Sequence, residues 1–373
     1  MFSRPELSPS RRLSHFLFGA APATLLRSLI RYGGVAPAAW PRLALIAAGM
    51  AAFAPFGAWE TLWYRRRIAA AEVSPAPVFI LGHWRSGTTW LHGLLVQDPT
   101  LAAPTLTQAC VPWNFLGKLG LLRWLLRRNL PKTRLIDPLP LHCDCPIEEG
   151  LALANMSPAS FWHGFYFPRQ LRRIFRTTVL FEDAAAKTEW AGHLRYFAHK
   201  LTLAYPGHRL VFKDPANTAR IAALLELFPG AKFVYLQRNP YEVFLSMRRT
   251  YRVLLPELTL QTVDRLPADD LILDIYRDLI GRYLQDRDLI PPADLIELRY
   301  EDLRQDPMRC LQQLYGRLGL PGWEQAEASF RRELERQSGY RPGRYRFGPG
   351  DIERVRSHWQ FALQRWPYPE PEP

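Results

Sequence analysis

Short apolar runs recur along this chain, each ending in a polar or glycine-bearing loop and followed by apolar residues at helical spacing. The first is Val78 to Leu81, four apolar residues without a polar interruption, which suits a strand buried on both faces. Gly82 and Gly87 bound the loop behind it. Thr88, Thr89 and Trp90 then open a segment carrying Leu91, Leu94 and Leu95. Leu210 to Phe212 is a second run. Lys213-Asp214-Pro215 follow it, and then a helical pattern from Asn217 to Phe228 that stops at Pro229-Gly230. Lys232 to Gln237 is a third run, and Asn239 as N-cap with Pro240 at the first helical position starts a helix reaching about Tyr251. A long helix at about Asp270 to Arg287 precedes a fourth strand at Leu295 to Leu298, and Asp306-Pro307 begins a helix through Leu318. Strands alternating with helices predict an α/β fold in three layers, with a central parallel sheet covered on both faces.

Residues 1–70 read differently. Ser14 to Tyr32 has the pattern of an amphipathic helix, and Leu43 to Trp59 is an apolar run of seventeen residues. As a helix that run is about 25 Å long, short of a bilayer core of about 30 Å, and Pro55 and Gly57 interrupt it. The sequence leaves three placements open for residues 43–64: packed on the chain's own domain, lying in the plane of a membrane, or spanning one. The expected organisation is a basic and apolar helical extension over 1–70, an α/β domain after it and a Pro-rich tail over 367–373.

Composition narrows the class. With 48% hydrophobic and 22% charged residues over 373 positions, the chain is globular. Nine arginines against two glutamates give residues 1–70 a charge of +7 out of the total of +13. A basic protein could bind nucleic acid, but no nucleic-acid motif is visible, and a polyanionic cofactor or an anionic membrane surface explains the charge at least as well. Four cysteines (Cys110, Cys143, Cys145 and Cys310) form no disulfide framework or paired C-x-x-C metal motif. The expected setting is the cytoplasm, with the inner face of a membrane as a point of attachment.

The loop of residues 82–87 leads into a helix N-terminus, where backbone N–H groups and the positive end of the helix dipole converge on one spot. It is an anion cradle but not a Walker A motif. Thr88 stands where the lysine would be, and the basic residue, Arg85, lies inside the loop. Open parallel sheets bind ligands at the carboxyl ends of their strands. Three such ends carry a cation here: Arg85, Lys213 and Arg238.

Arg85-Ser86-Gly87-Thr88-Thr89-Trp90 resembles the 5′-phosphosulfate loop of sulfotransferases, which use 3′-phosphoadenosine-5′-phosphosulfate (PAPS). The fuller wording, Gly82-His-Trp-Arg-Ser-Gly-Thr-Thr89, is similar to a branch of that family with Arg in place of the commoner Lys. Arg238 to Ser246 resembles the family's 3′-phosphate segment, in which Arg and Ser eight residues apart grip one phosphate. Tyr300-Glu-Asp-Leu303 looks like a structural stretch of the same family, and the resemblance covers roughly 77–366. It implies a P-loop-like fold, PAPS as co-substrate and transfer of a sulfuryl group to a hydroxyl, ahead of an amine. Arg85 would clamp the transferring group. Ser86, Gly87, Thr88 and Thr89 would hold the 5′-phosphate, Trp90 would stack on adenine, and Lys213, Arg238 and Ser246 would complete the nucleotide site. Arg341, in the Gly-Tyr-Arg-Pro-Gly stretch, would belong to the family's C-terminal basic loop, although its spacing departs from the common form. No carboxylate ends the third strand, so no metal is expected.

The general base is less well marked. The family branch carries a P-x-E-D-E-like stretch where this chain has Pro146-Ile-Glu-Glu-Gly150. Glu148 is the aligned candidate and His142 the second. The same stretch also reads as a solvated helix start with Asp144 as N-cap. Two other functions stay open: a P-loop phosphotransferase with an unusual loop, and a non-catalytic membrane-associated nucleotide-binding protein. The acceptor is beyond the sequence: a membrane-proximal extension points towards lipid or glycolipid alcohols, and a small hydroxylated metabolite fits too.

Overall fold

The computed structural model describes residues 15–117, 133, 136, 141–263, 266–337 and 345–372. They fall into two compact units. One holds the N-terminal helices up to Ser74, Ala103–Pro206 and Thr250–Leu266; the other holds Pro75–Ala102, Gly207–Arg249 and Pro267 onwards.

The second unit contains the sheet: β1 (Val78–Leu81), β2 (Leu101–Ala102), β3 (Arg209–Phe212), β4 (Lys232–Gln237) and β5 (Leu295–Arg299). All neighbours are parallel, in the order β2-β3-β1-β4-β5. Val78 pairs with Val211 on one side and Lys232 on the other. Every residue of β1 is buried, because alternate side chains serve opposite faces. Val78 and Ile80 join Leu91, Leu94 and Leu95 and the helices Pro307–Leu318 and Trp323–Arg336 in one core. Phe79 faces the other way, stacked with Phe212 at 5.4 Å and Phe233 at 5.7 Å. On the same side Tyr235 stacks on Tyr283 of the helix Ala268–Asp286 at 3.8 Å. Each such buried side chain contributes roughly 1.5–3 kcal/mol. The three-layer α/β arrangement predicted by the alternation is present.

The first unit is helical. Its main elements are α1 (Pro22–Tyr32), α2 (Trp40–Ala69) and the helices Glu149–Met156 and Ala184–Ala204. The amphipathic segment expected from Ser14 begins as a 3₁₀ turn, Phe16–Gly19, before α1. Pro55 and Gly57 do not break α2, which runs unbroken for 30 residues with Pro55 inside it. A helix of that length is about 45 Å long. The helix after Pro146 begins with Glu148 as N-cap, not Asp144. Pro215–Ala219 is a 3₁₀ turn that precedes Ile221–Leu227, so the segment from Asn217 is two short helices and not one.

Candidate active site

Strand order reverses at β1: the chain builds β2 and β3 to one side, then crosses to β4 and β5 on the other. The crevice at the carboxyl end of β1 is where such sheets take ligands. Because β3 and β4 flank β1, the loop carrying Arg85 lies between the strand ends that lead to Lys213 and Arg238.

The loop is held from below and from both sides. Gly82 donates its N–H to Thr218 Oγ1 at 2.8 Å, and the Thr218 hydroxyl donates back to the Gly82 carbonyl at 3.1 Å. Gly82 has φ +138°, and a Cβ there would sit 2.5 Å from the Leu236 carbonyl oxygen. Gly87 has φ +92°, and its Cβ would come within 2.3 Å of the Tyr300 ring. Only glycine fits either position, since anything larger must push backbone or a buried ring aside. Arg85 itself takes the left-handed conformation, φ 71°, at a cost of roughly 1–2 kcal/mol for a residue with a Cβ. That strain is offset by what the conformation brings together.

Arg85 Nε donates to Ser246 Oγ at 3.0 Å, and the Arg85 carbonyl accepts from Arg238 at 2.8 Å. Arg238 is held on its other edge by Glu242, one helical turn along, with Nε to Oε2 at 3.1 Å. Its guanidinium lies over the Tyr300 ring, 4.5 Å from the centroid. Burial pulls the Arg238 guanidinium down, but the Glu242 charge and hydrogen bond outweigh it and the group ends above its ordinary value. Asn239 starts the helix Pro240–Leu258 by accepting from the Tyr241 N–H at 3.0 Å, which fixes the start of the helix that follows Arg238 and carries Ser246.

α3 (Thr88–Leu95) has Gly87 as N-cap. Its first intrahelical bonds are donated by Trp90 and Leu91 to the Gly87 carbonyl, so the N–H groups of Gly87, Thr88 and Thr89 precede the helical ladder. Ser86 and Thr88 are buried beside them. The Trp90 indole packs against the core below, and its N–H donates to Gln337 at 2.7 Å. Lys213 is buried directly after β3. Beneath it His92 is pushed down to about 3, first by burial and then by the Lys213 charge.

The structure brings together Arg85, Ser86, Gly87, Thr88, Thr89, Arg238 and Ser246, with Lys213 on the adjoining strand end. Glu148 and His142 belong to the other unit. Glu148 is buried at the N-terminus of its helix, and His142 is exposed. Arg341 lies outside the described residues. Among the described residues no cluster of three or more His, Cys, Asp or Glu is placed to hold a metal ion.

Three residues at the site went unmarked in the sequence. Tyr300 belongs to a stretch read as structural, yet its ring forms the floor under Gly87 and Arg238. Glu242 is the anionic partner of Arg238, and its i, i+4 spacing was the available signal. His83 is 2% exposed, and its Nε2 has no hydrogen-bond partner. Its Nδ1 lies 2.8 Å from the Trp84 carbonyl, which can only accept, so the proton is on Nδ1 and Nε2 is a bare acceptor. Burial pushes this imidazole down to about 4, only partly countered by the bond to Trp84. An orphaned buried acceptor in this loop, close to the N–H groups that precede the helical ladder of α3, suits a bound polar group there.

A parallel sheet with a glycine-bounded loop and helix N-terminus at its switch point, flanked by two arginines, is the arrangement of a P-loop-like fold. Residues 77–325 match the sulfotransferase family, and the chain belongs to it. It is 31% identical, over 85% of its length and 82% of theirs, to the omega-hydroxy-beta-dihydromenaquinone-9 sulfotransferases Stf3 of Mycobacterium bovis and Mycobacterium tuberculosis. In fold it is similar to sulfotransferase STF9 from Mycobacterium avium, with TM-score 0.73 and 17% identity over 95% of this chain and 98% of that one. Sulfotransferase STF1 from Mycobacterium tuberculosis also aligns, with TM-score 0.58 and 18% identity over 83% and 85% of the two chains.

Proposed function

We propose that this sulfotransferase moves a sulfuryl group from PAPS to the hydroxyl of a lipid acceptor. The observation that carries the reading is the convergence of Arg85, Arg238 and Ser246 on the N-terminus of α3. Two guanidinium groups within one hydrogen bond of each other's backbone or partner side chain suit a ligand with several anionic groups. The 3′-phosphate would rest on Arg238 and Ser246, and the 5′-phosphosulfate on Ser86, the amides of Gly87, Thr88 and Thr89, and Lys213. Trp90 is the adenine-stacking candidate and Arg341 a further contact. Bound there, PAPS supplies the activated sulfuryl group.

The chain's own work is positioning and charge stabilisation, as in phosphoryl transfer. Arg85 brings a planar guanidinium, which stabilises negative charge accumulating on the departing phosphate through its fork of N–H donors. The cradle amides add fixed dipoles that need no reorganisation. Glu148 is the candidate to take the proton from the acceptor hydroxyl, with His142 second. The lipid class rests on the Stf3 relatives, named for a hydroxylated menaquinone, and on the apolar extension. A lipid acceptor also sets the protein's place of work at a membrane surface, with the nucleotide drawn from the cytoplasm.

The test is incubation of purified protein with ³⁵S-labelled PAPS and a lysate fractionated into lipid, glycan and soluble pools. Label in the lipid pool, resistant to base hydrolysis of acyl esters but released by solvolysis of sulfate esters, is the expected result. Label confined to glycans or soluble metabolites would overturn the lipid class. No transfer from PAPS to any pool would overturn the donor.

A further inference from the structure

We infer that α2 is an in-plane membrane anchor, seated on an anionic bilayer by one face while the other is locked into its own unit. Of nine large apolar side chains left exposed among the described residues, eight lie on α1 and α2. They are Leu26 and Ile30 on α1, and Trp40, Leu45, Phe56, Trp59, Leu62 and Trp63 on α2. At about 100° per residue, the six on α2 occupy an arc of about 160°. The residues of α2 that are buried, from Leu43 and Ile46 to Glu60 and Ile68, fall in a separate arc of about 100° on the opposite side.

The buried arc decides between lying on a membrane and crossing it. Glu60 is 0% exposed, and its carboxylate accepts from the backbone N–H groups of Phe115, Leu116 and Gly117 at 2.7–3.1 Å. Lys200, equally buried, reaches the same carboxylate at 2.6 Å. Gly57 lets the helix close on Trp113, where a Cβ would meet another at 3.1 Å. Withdrawing α2 into a bilayer would strand both charges, and a buried charge without its partner is among the costliest defects a fold can carry. The helix therefore stays in its unit and offers only its outer face.

Charge complementarity identifies what covers that face. Arg65, Arg66 and Arg67 follow Trp63 and are all exposed. Arg66 falls within the apolar arc and the other two at its margins, the arrangement of an interfacial helix that sinks its apolar side to acyl depth and keeps cations at phosphate level. Trp59 and Trp63, stacked with centroids 5.9 Å apart, form the aromatic anchor beside them. The partner is the bilayer surface itself. The inference uses the lipid-acceptor reading only for its purpose, since docking needs neither acceptor nor nucleotide.

Vesicle flotation of the full chain, without nucleotide or acceptor, tests this. Expected is flotation with phosphatidylcholine vesicles containing 30% phosphatidylglycerol, and weak flotation with phosphatidylcholine alone. Replacing Arg65, Arg66 and Arg67 together by Gln should weaken binding to the anionic vesicles on the order of a hundredfold. Trp59→Glu with Trp63→Glu should abolish it while leaving the thermal midpoint and 3′,5′-adenosine bisphosphate binding at wild-type values. Equal binding by both variants and wild type would overturn the proposal. So would a dimer in light scattering that the tryptophan variant dissociates, because a second copy would then cover the face. Native membrane-bound protein that resists alkaline carbonate would mean a span. Flotation as expected, with no label in the lipid pool of the PAPS experiment, would remove the acceptor class and leave the anchor standing.

Discussion

Arg85 and Ser246, 161 residues apart, meet at 3.0 Å because β1 and β4 are neighbours and both hand their chains to a helix at the same end of the sheet. The contact couples the loop proposed for the 5′-phosphosulfate to the segment proposed for the 3′-phosphate. A nucleotide carrying both groups would satisfy both halves at once. Arg85 is thereby fixed by its Nε.

That geometry makes Arg85 poorly replaceable by another cation. Lysine has no Nε–H branch with which to hold Ser246 while presenting charge to a ligand. Arg85→Lys should retain nucleotide binding within about tenfold, the loss of one ordinary to charge-assisted hydrogen bond. It should lower kcat by about 10²-fold, the effect of losing one preorganised stabilising group. Arg85→Ala should lower it further. Steady-state kinetics with PAPS, read beside calorimetric Kd values, separate the two effects. A lysine variant with wild-type kcat would take the transition-state role from Arg85.

Glu148 tests the other side of the reaction. A base acts on the acceptor proton, so Glu148→Gln should reduce kcat by about 10²- to 10⁴-fold with nucleotide Kd unchanged. His142→Asn is the control, since His142 is solvent-exposed at the same segment. Full activity in the glutamine variant together with loss in the asparagine variant would transfer the role to His142.

Much of the fold was legible because a strand buried on both faces leaves an unbroken apolar run, and three of the five strands announced themselves that way. β2 did not: at two residues, Leu101–Ala102, it is too short for any periodicity. The loop could be read because both glycines are forced by close approach, one to the Leu236 carbonyl and the other to Tyr300. What covers each glycine could not be read, since Leu236 lies on β4 and Tyr300 directly follows β5, and only the sheet reveals the order of those strands. The continuity of α2 was hidden for a related reason. Pro55 and Gly57 carry local breaking signals, but Gly57 sits where Trp113 packs, and the Glu60–Lys200 pair fixes the next turn. Tertiary contacts there override propensity.

Four buried imidazoles make the fold acid-sensitive in a defined window. Burial holds His15 and His92 down to about 3, and His83 and His163 down to about 4. All are neutral in the folded chain above about pH 5, whereas exposed histidine titrates near 6.5. Between about pH 4 and 6.5 the unfolded chain binds more protons, so stability rises with pH there and falls as the solution is acidified. Above that window both states are neutral and these groups add no slope. Urea midpoints should stay level from pH 8 to 7 and fall from pH 6.5 to 4.5, approaching about 1.4 kcal/mol per pH unit for each histidine. A level profile down to pH 5 would show that the imidazoles protonate within the fold.

Arg238 provides the sharpest test of the nucleotide assignment. In this structure its guanidinium is shared among the Arg85 carbonyl, the Glu242 carboxylate and the face of Tyr300. The protein's own groups thus hold it in place, and Ser246 stands on the helix that begins two residues later. A phosphate held by both gains at least one charge-assisted hydrogen bond, worth roughly 1.5–3 kcal/mol. Arg238→Ala should therefore weaken 3′,5′-adenosine bisphosphate by about ten- to a hundredfold, at about 1.4 kcal/mol per decade. Affinity for 5′-adenosine monophosphate should change little, because that ligand lacks the group Arg238 is proposed to hold. ATP, also without a 3′-phosphate, should bind poorly with or without magnesium. The substitution also removes the Arg85 carbonyl's donor, so calorimetry of all three ligands is read against the variant's thermal midpoint. Equal losses for the mono- and bisphosphate would mean that Arg238 only supports the loop. A loss confined to the bisphosphate, at an unchanged midpoint, would assign the 3′-phosphate to it.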